Sequence, residues 1–208
     1  MSETDKTKEF LKEYVRRNTK AYHNWIKVAV PLAYLVYHPS FKGKENIPTE
    51  GAAILASNHC HLPDPTFVCI ATKRVVRYLA KKELFESKFA SFFRTMHTIP
   101  VDRTGGAHNA LVAAEEVLRE GHIIGIFPEG TRNRKIPGGL LPFKYGAVAM
   151  ARDTGAPLVP IALKSKGIPF ISSYKVVIGE AYTIDKDADL DKENERLRNK
   201  VQELLDIA

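Results

Sequence analysis

The chain has 208 residues, of which 44% are hydrophobic and 26% charged, a composition that is ordinary for one folded domain with a sizeable core. Its two cysteines, Cys60 and Cys69, offer no disulfide framework and suit a reducing compartment, and the charged first residues predict no secretory signal peptide. The formal net charge of +7 is concentrated near the N-terminus, where seven Lys or Arg residues oppose one acidic residue between Lys12 and Lys44. We therefore expect a phosphate-bearing partner, either lipid or nucleic acid.

Residues 1–38 are predicted to form a helical membrane-binding element. Basic residues interleave with an apolar helical stripe: Lys12, Arg16, Arg17 and Lys20 beside Phe10, Tyr14, Ala21, Trp25 and Val28. The apolar run from Val28 to Tyr37 then follows, but it contains Pro31 and is shorter than the roughly 20 residues that span a bilayer. This pattern favours an element lying in the interface of an anionic membrane, with a helical hairpin packed on the core as the alternative. No nucleic-acid-binding motif is present, so we expect no nucleic-acid partner.

Residues 39–208 are predicted to form a single α/β domain. The predicted strands are Ala52–Ala56, Val75–Ala80, Thr98–Val101, Ile123–Phe127, Pro157–Leu163 and Lys175–Ile178. The predicted helices are Asp64–Thr72, Glu83–Thr95, Ala107–Arg119, Tyr145–Arg152 and Leu190–Ile207. Strands that alternate with helices predict a mostly parallel or mixed sheet covered by helices on both faces.

The connection between the first predicted strand and its helix carries His59 and Asp64, with four residues between them. Loops of this kind lie at the carboxyl edge of the sheet, where ligands usually bind. A histidine there can take a proton from an attacking hydroxyl, and a nearby carboxylate can hold the imidazole in the required tautomer. His59 and Asp64 are therefore the candidate catalytic pair.

Other interpretations of the same loop remain open. Asp64 followed by Pro65 is also a good helix start, with Asp64 as the N-cap. His59 and His61 have the spacing to ligate zinc together, although no second ligand cluster is evident in the sequence. Cys60 as a nucleophile has no signature of its own.

Three further loops carry positive charge to the same predicted edge. Gly130, after the strand Ile123–Phe127, allows close approach of the backbone. Arg132 can bind a phosphate through two N–H groups of its planar guanidinium. The alternative is an ordinary turn with a Glu129–Arg132 ion pair. Arg103 precedes a predicted helix N-terminus, which is a plausible anion site. With Lys81 after the second strand, these cations beside one histidine suggest proton abstraction from a phosphorylated substrate.

Four ordered segments resemble the motifs of the glycerolipid acyltransferases. Asn58-His59 with Asp64 resembles their NHxxxxD motif, and the other three are Ile99–Arg103, Phe127–Arg132 and Val159–Leu163. Lys81–Leu84 and Phe143–Ala147 resemble further segments of the family. The resemblance runs from about residue 41 to residue 180, and members of the family can also carry an N-terminal helical membrane-binding element.

The resemblance implies that the chain transfers an acyl group from an acyl thioester to the sn-2 hydroxyl of 1-acylglycerol-3-phosphate, giving phosphatidic acid. His59 would be the general base, oriented by Asp64, and the hydroxyl would attack the thioester directly without an acyl-enzyme. The residues that would bind or position the acceptor are Lys81, Arg103, Glu129, Gly130, Thr131 and Arg132, with Glu129 positioning either the acceptor or its loop. No metal or cofactor is expected.

The implied partners are lysophosphatidic acid, an acyl thioester of coenzyme A or of acyl carrier protein, and the anionic membrane surface. The implied location is the cytoplasmic face of the cell membrane, as a peripheral or monotopic protein. Three alternatives stay open: a transferase for a different lyso-lipid acceptor, a non-catalytic lipid-binding homologue, and a metal hydrolase using His59 and His61.

Overall fold

The structure, a computed structural model, describes residues 19–101, 107–134, 136, 138–166 and 173–208. Its helices are α1 (Lys20–Tyr37), α2 (Asp64–Ile70), α3 (Ala90–Thr95), α4 (Ala107–Arg119), α5 (Gly146–Thr154) and α6 (Leu190–Asp206). Its strands are β1 (Pro39–Lys42), β2 (Ala53–Ser57), β3 (Val76–Arg77), β4 (Leu79–Lys81), β5 (Ile99–Val101), β6 (Ile123–Ile126), β7 (Leu158–Lys166) and β8 (Ser173–Ile178). Short 3₁₀ helices lie at Lys44–Asn46 and Lys82–Glu86.

Six strands form the main sheet, in the order β1-β8-β7-β2-β6-β3. Neighbouring strands are parallel, except that β7 and β8 are antiparallel. The sheet is therefore mixed. Its central strand β2 lies between β7 and β6, so the loop that leaves β2 is flanked by the carboxyl ends of two parallel neighbours.

Both faces of the sheet are covered, as the sequence predicted. Ile54 and Ala56 face a core that contains buried residues of α4, α5 and α6, whereas Ala53 and Leu55 face a second core that contains residues of α1 and α2. Successive residues of a strand point to opposite faces, so the uninterrupted apolar run of β2 serves both layers.

Two predicted elements are each divided into two in the structure. The predicted strand Val75–Ala80 is two strands in different sheets, because the chain leaves the main sheet at Tyr78 and then pairs with β5. The predicted helix Glu83–Thr95 is interrupted at Ser87, whose hydroxyl donates to the carbonyl of Leu84 and accepts from the N–H of Phe89. Such local side-chain bonds compete with helix continuation.

The N-terminal element also differs from its prediction. The separate apolar segment is absent from residues 19–38, because α1 continues through Pro31 to Tyr37 as one helix. The buried face of α1 is not the predicted apolar stripe. Tyr22 and Ala33 are buried, whereas Val28 of the predicted stripe is 67% exposed. Trp25 packs edge-on against Phe92 of α3, with 5.9 Å between ring centroids. The helix is thus docked on the domain by a different face.

Candidate active site

His59 and Asp64 are in contact. The Nδ1 atom of His59 lies 2.7 Å from Oδ2 of Asp64, and Asp64 is fully buried while the His59 side chain keeps 17% of its surface exposed. An ionised carboxylate has no proton to donate and can only accept hydrogen bonds. The neutral imidazole therefore carries its proton on Nδ1. The Nε2 atom has no hydrogen-bond partner among the described residues, so its lone pair is available to accept a proton.

Asp64 does not cap its helix. Pro63 occupies the N-cap position, and Asp64 is the first helical residue, followed by Pro65. Its carboxylate instead turns back onto the loop, where Oδ2 accepts the backbone N–H groups of Cys60 and His61 at 2.7 and 2.9 Å. The N-cap interpretation was therefore wrong, and the aspartate fixes the shape of the loop as well as the tautomer of His59.

The sequence analysis missed Tyr174, which contacts the same carboxylate. Its hydroxyl donates a hydrogen bond to Oδ1 of Asp64, from strand β8 on the far side of β7. The predicted strand began at Lys175, two residues after the start of β8 at Ser173. Part of the signal was available, because the polar residues Ser173 and Lys175 alternate with Tyr174 and Val176, and the latter two are buried.

Asn58 anchors the start of the loop. Its side-chain amide donates to the carbonyl of Leu163 and accepts the N–H of the same residue, at 2.9 and 2.7 Å. Leu163 lies on β7, so this paired contact extends the β2–β7 ladder by one step beyond Ser57. The asparagine of the motif thus has a structural role that its position in the sequence did not reveal.

The imidazole of His59 is also held from one side by aromatic rings. Phe127 stacks on it with 4.1 Å between centroids, and Tyr78 in turn stacks on Phe127 with 5.5 Å between centroids. Tyr78 lies so close to Gly125 that a Cβ there would sit 2.5 Å from its ring, so only glycine fits at that position. The stack restricts rotation of the His59 ring.

Glu129 joins the His59 loop to the loop that leaves β6. Its two oxygens accept the backbone N–H groups of His59 and Leu141, each at 2.8 Å, and the residue is only 4% exposed. Burial raises the pKa of Glu129, and the two N–H donors oppose that rise. Of the two roles left open by the sequence, this geometry favours positioning of the loop over contact with the acceptor. The N–H of Asn133 also donates to the carbonyl of His59, at 2.6 Å.

Gly130 occupies the left-handed region, with φ at +68°, where a side chain would be strained. A Cβ at this position would lie 2.8 Å from Nζ of Lys144, so the lysine side chain packs directly over the turn. Lys144 belongs to the segment 143–147, and its placement adds a cation that was not among the predicted site residues.

Arg132 lines a cavity of about 600 Å³ beside the His59 loop, together with Arg134 and the apolar side chains of Leu62 and Leu163. Within the described residues neither arginine makes a hydrogen bond or an ion pair, so the predicted Glu129–Arg132 ion pair is absent there. Cys60 and His61 also line this cavity, but His59 does not. The cavity therefore adjoins the pair of His59 and Asp64 without enclosing it.

The alternatives for Cys60 and His61 gain no support. Burial raises the pKa of the Cys60 thiol to about 11, so the thiol stays protonated near neutral pH, which disfavours a nucleophile. The described ranges contain no group of three or more side chains that could hold a metal ion.

Three predicted site residues need separate mention. Lys81 ends β4, in register with Val101 of β5, but its side chain lies outside the described residues. Arg103 lies entirely outside them, so its role stays a prediction. Thr131 is exposed between Gly130 and Arg132, with no hydrogen bond to another described residue.

With this geometry in place, comparison with known proteins places the chain in a family. The model of the acyltransferase family matches residues 38–164, which is more than half of the chain. The chain belongs to the acyltransferase family. The match begins after α1 and ends within β7, so it includes both the His59 loop and the Glu129 loop.

Curated relatives of this acyltransferase carry one recurring name. A 1-acyl-sn-glycerol-3-phosphate acyltransferase of Bacillus subtilis is 36% identical over 143 residues, covering 66% of this chain and 70% of that protein. An enzyme of the same name from Borreliella burgdorferi is 37% identical over 163 residues, covering 73% of this chain and 64% of that protein.

A solved structure confirms the fold. The crystal structure of the 1-acyl-sn-glycerophosphate (LPA) acyltransferase PlsC from Thermotoga maritima superposes with a TM-score of 0.70, covering 100% of this chain and 83% of that one. At 23% identity, this likeness establishes the α/β architecture of the acyltransferase.

Proposed function

We propose that this acyltransferase transfers a fatty acyl group from an acyl thioester to the sn-2 hydroxyl of 1-acylglycerol-3-phosphate, giving phosphatidic acid. The observation that carries the proposal is the pair of His59 and Asp64, in which Nδ1 donates at 2.7 Å and Nε2 is left as the base. The names of the Bacillus and Borreliella relatives support the choice of acceptor.

The proposed reaction is one base-assisted displacement. The acceptor hydroxyl gives its proton to Nε2 of His59 as its oxygen attacks the thioester carbonyl, and the buried Asp64 stabilises the imidazolium that forms. Collapse of the tetrahedral intermediate breaks the carbon–sulfur bond, and the departing thiolate takes the proton back from Nε2. A thiolate is a good leaving group, so no cofactor or metal is invoked, and either coenzyme A or acyl carrier protein can be the donor.

The acceptor phosphate is proposed to bind near Arg132. This residue directly precedes Asn133, whose N–H bonds the carbonyl of His59, so the arginine is tied to the catalytic loop by the backbone. Its guanidinium is free of partners among the described residues and can offer a bidentate contact. Arg103 and Lys81 are further proposed ligands of the phosphate, and only the sequence supports their assignment.

We place the protein at the cytoplasmic surface of the membrane through α1. One outward face of this helix carries Val28, Leu32 and Leu35, which are 67%, 57% and 65% exposed. Their spacing of three and four residues forms a stripe, and such a stripe beside basic residues suits the interface of a bilayer. Across the described ranges, no helix has the length and apolar character needed to cross a membrane.

The decisive experiment is a thiol-release assay that crosses several acyl thioesters with several lyso-lipid acceptors. Release that depends on 1-acylglycerol-3-phosphate, and a fall in kcat of about 10²–10⁴-fold for His59→Ala, are expected. Release with a different lyso-lipid would redirect the acceptor assignment. No release with any pair would support a non-catalytic lipid-binding protein, and loss of activity on chelation would revive the metal hydrolase.

A further inference from the structure

Asp64 is a fully buried carboxylate whose two oxygens are engaged unequally. Oδ2 accepts three N–H donors from the loop: Nδ1 of His59 and the backbone amides of Cys60 and His61. Oδ1 accepts the hydroxyl of Tyr174, the one donor to this oxygen among the described residues. A buried carboxylate oxygen without a donor would be costly, so the orientation of the Asp64 plane depends on this hydroxyl.

The ring of Tyr174 is itself fixed. It is 1% exposed, and it stacks on Phe67 of α2 with 3.7 Å between centroids and 21° between planes. Tyr37, at the end of α1, meets it edge-on at 6.2 Å. The hydroxyl therefore approaches Asp64 from an aromatic cluster of α1, α2 and β8, and His61 of the His59 loop also meets the ring edge-on, at 6.4 Å.

The hydroxyl acts as a donor only. Burial, the neighbouring charge of Asp64 and the hydrogen bond between them raise the pKa of Tyr174 far above its ordinary value. The phenol thus keeps its proton across the physiological range, and Asp64 remains the acceptor.

We propose that Tyr174 is a positioning residue for acyl transfer: its hydroxyl locks the Asp64 carboxylate in the plane that keeps the His59 proton on Nδ1 and leaves Nε2 as the base. This inference rests on the proposed function for its kinetic consequence. Without the hydroxyl, Oδ1 loses its donor and the carboxylate can turn about the three N–H groups that hold Oδ2, so the bond that selects the His59 tautomer is weakened. Tyr174 does not touch the substrate in this mechanism.

The test compares Tyr174→Phe with Tyr182→Phe. Both changes delete one buried phenol oxygen, but the hydroxyl of Tyr182 has no partner among the described residues. For Tyr174→Phe we expect kcat to fall about tenfold or more, with KM for the acceptor changed by no more than about twofold. For Tyr182→Phe we expect both constants to stay at the wild-type values. Equal kinetics in the two variants would overturn the proposal.

A spectroscopic arm does not depend on catalysis. In ¹⁵N NMR spectra of histidine-labelled protein without substrate, His59 should show the Nδ1-protonated tautomer in the wild type and a mixture in Tyr174→Phe. An unchanged tautomer would overturn the proposal, whatever the kinetics. If the wild type releases no thiol, the proposed function fails, while the tautomer comparison still decides the role of Tyr174.

Should Tyr174→Phe fail to fold, the wild type alone carries the test. The Tyr174 hydroxyl proton, assigned through its ring protons, should appear at low field and exchange slowly with solvent because of its bond to buried Asp64. A fast-exchanging hydroxyl at the ordinary position would contradict that bond and the proposal with it.

Discussion

The carboxylate of Glu129 accepts the backbone N–H of His59, with 2.8 Å between Oε1 and the nitrogen. Its other oxygen accepts the N–H of Leu141 at the same distance. An acidic residue after one strand thus fixes the backbone of the His59 loop after the neighbouring strand. This contact is possible because β2 and β6 are adjacent and parallel, so that their carboxyl ends meet.

The first prediction concerns this contact. In Glu129→Gln, one carboxylate oxygen becomes an NH₂ group that faces a backbone N–H, so a buried donor is left unsatisfied. We expect a loss of about 1–3 kcal/mol in the free energy of unfolding together with lower kcat. Urea unfolding and the thiol-release assay measure the two effects. Glu195→Gln, at an exposed position of α6, removes the same charge and should change neither.

Arg132→Ala tests the binding of the acceptor phosphate. Losing a charge-assisted bond should raise KM for 1-acylglycerol-3-phosphate about 10–100-fold, with little change in kcat. KM for a thioester donor that lacks phosphate should stay constant. Arg198→Ala removes an exposed charge from α6 as a control. An equal rise in KM for a phosphate-free acceptor would reject the phosphate role of Arg132.

Leu32 and Leu35 test the membrane face. Because burying their side chains in the interface contributes roughly 1.5–3 kcal/mol each, Leu32→Ser with Leu35→Ser should shift most of the protein from the pellet to the supernatant when it is spun with anionic liposomes. Ile207→Ser is the matched control, since Ile207 is 64% exposed at the other end of the chain. Pelleting that survives the double change and is lost in the control would assign membrane contact elsewhere.

Cys60 reports on occupancy of the cavity. With its pKa raised to about 11, the thiol should react slowly with iodoacetamide at pH 7, and the rate should rise about tenfold per pH unit until pH approaches 11. Saturating 1-acylglycerol-3-phosphate should slow the reaction further if the acceptor fills the cavity. Cys69 is buried, so Cys60→Ala protein should take up almost no label. Labelling that is indifferent to the acceptor would place the acceptor outside this cavity.

We expect the free energy of unfolding to depend on pH through the titration of His122. Burial, followed by the charges of Arg77 and Arg74, lowers the pKa of His122 from its ordinary value of 6.5 to about 4. Between these values the unfolded chain binds the proton and the folded chain does not, so the free energy of unfolding should fall as pH drops from 6.5 to 4. Urea titrations across this range should show a flatter dependence for His122→Asn; an identical slope would contradict the shift.

The sequence predicted the features of the site that depend on local order. The His59 loop follows a buried apolar strand and precedes a helix, and the 128–132 turn follows a second buried apolar strand. Their position at the same edge of the sheet could therefore be inferred. Tyr174 could not be assigned in this way, because it lies 110 residues from Asp64 and reaches it only through the pairing of β8 with β7. The edge strand β1 was missed because it has four residues and begins with proline.

The face of α1 that packs against the core also could not be predicted from the sequence. Apolar residues occur around much of this helix, so helical periodicity alone cannot say which of them contact the domain. Contacts such as Trp25 with Phe92 settle the rotation of the helix, and they depend on where α3 lies in the fold.

The several bonds that converge on Asp64 affect how an inert enzyme should be prepared. Replacing this aspartate would remove the partner of His59 and also release the amides that shape the surrounding turn. An inactive Asp64 variant would therefore report distorted architecture and lost chemistry together. His59→Ala takes away the proposed base while the turn keeps its remaining bonds, which makes it the better choice for trapping donor and acceptor together in a crystal.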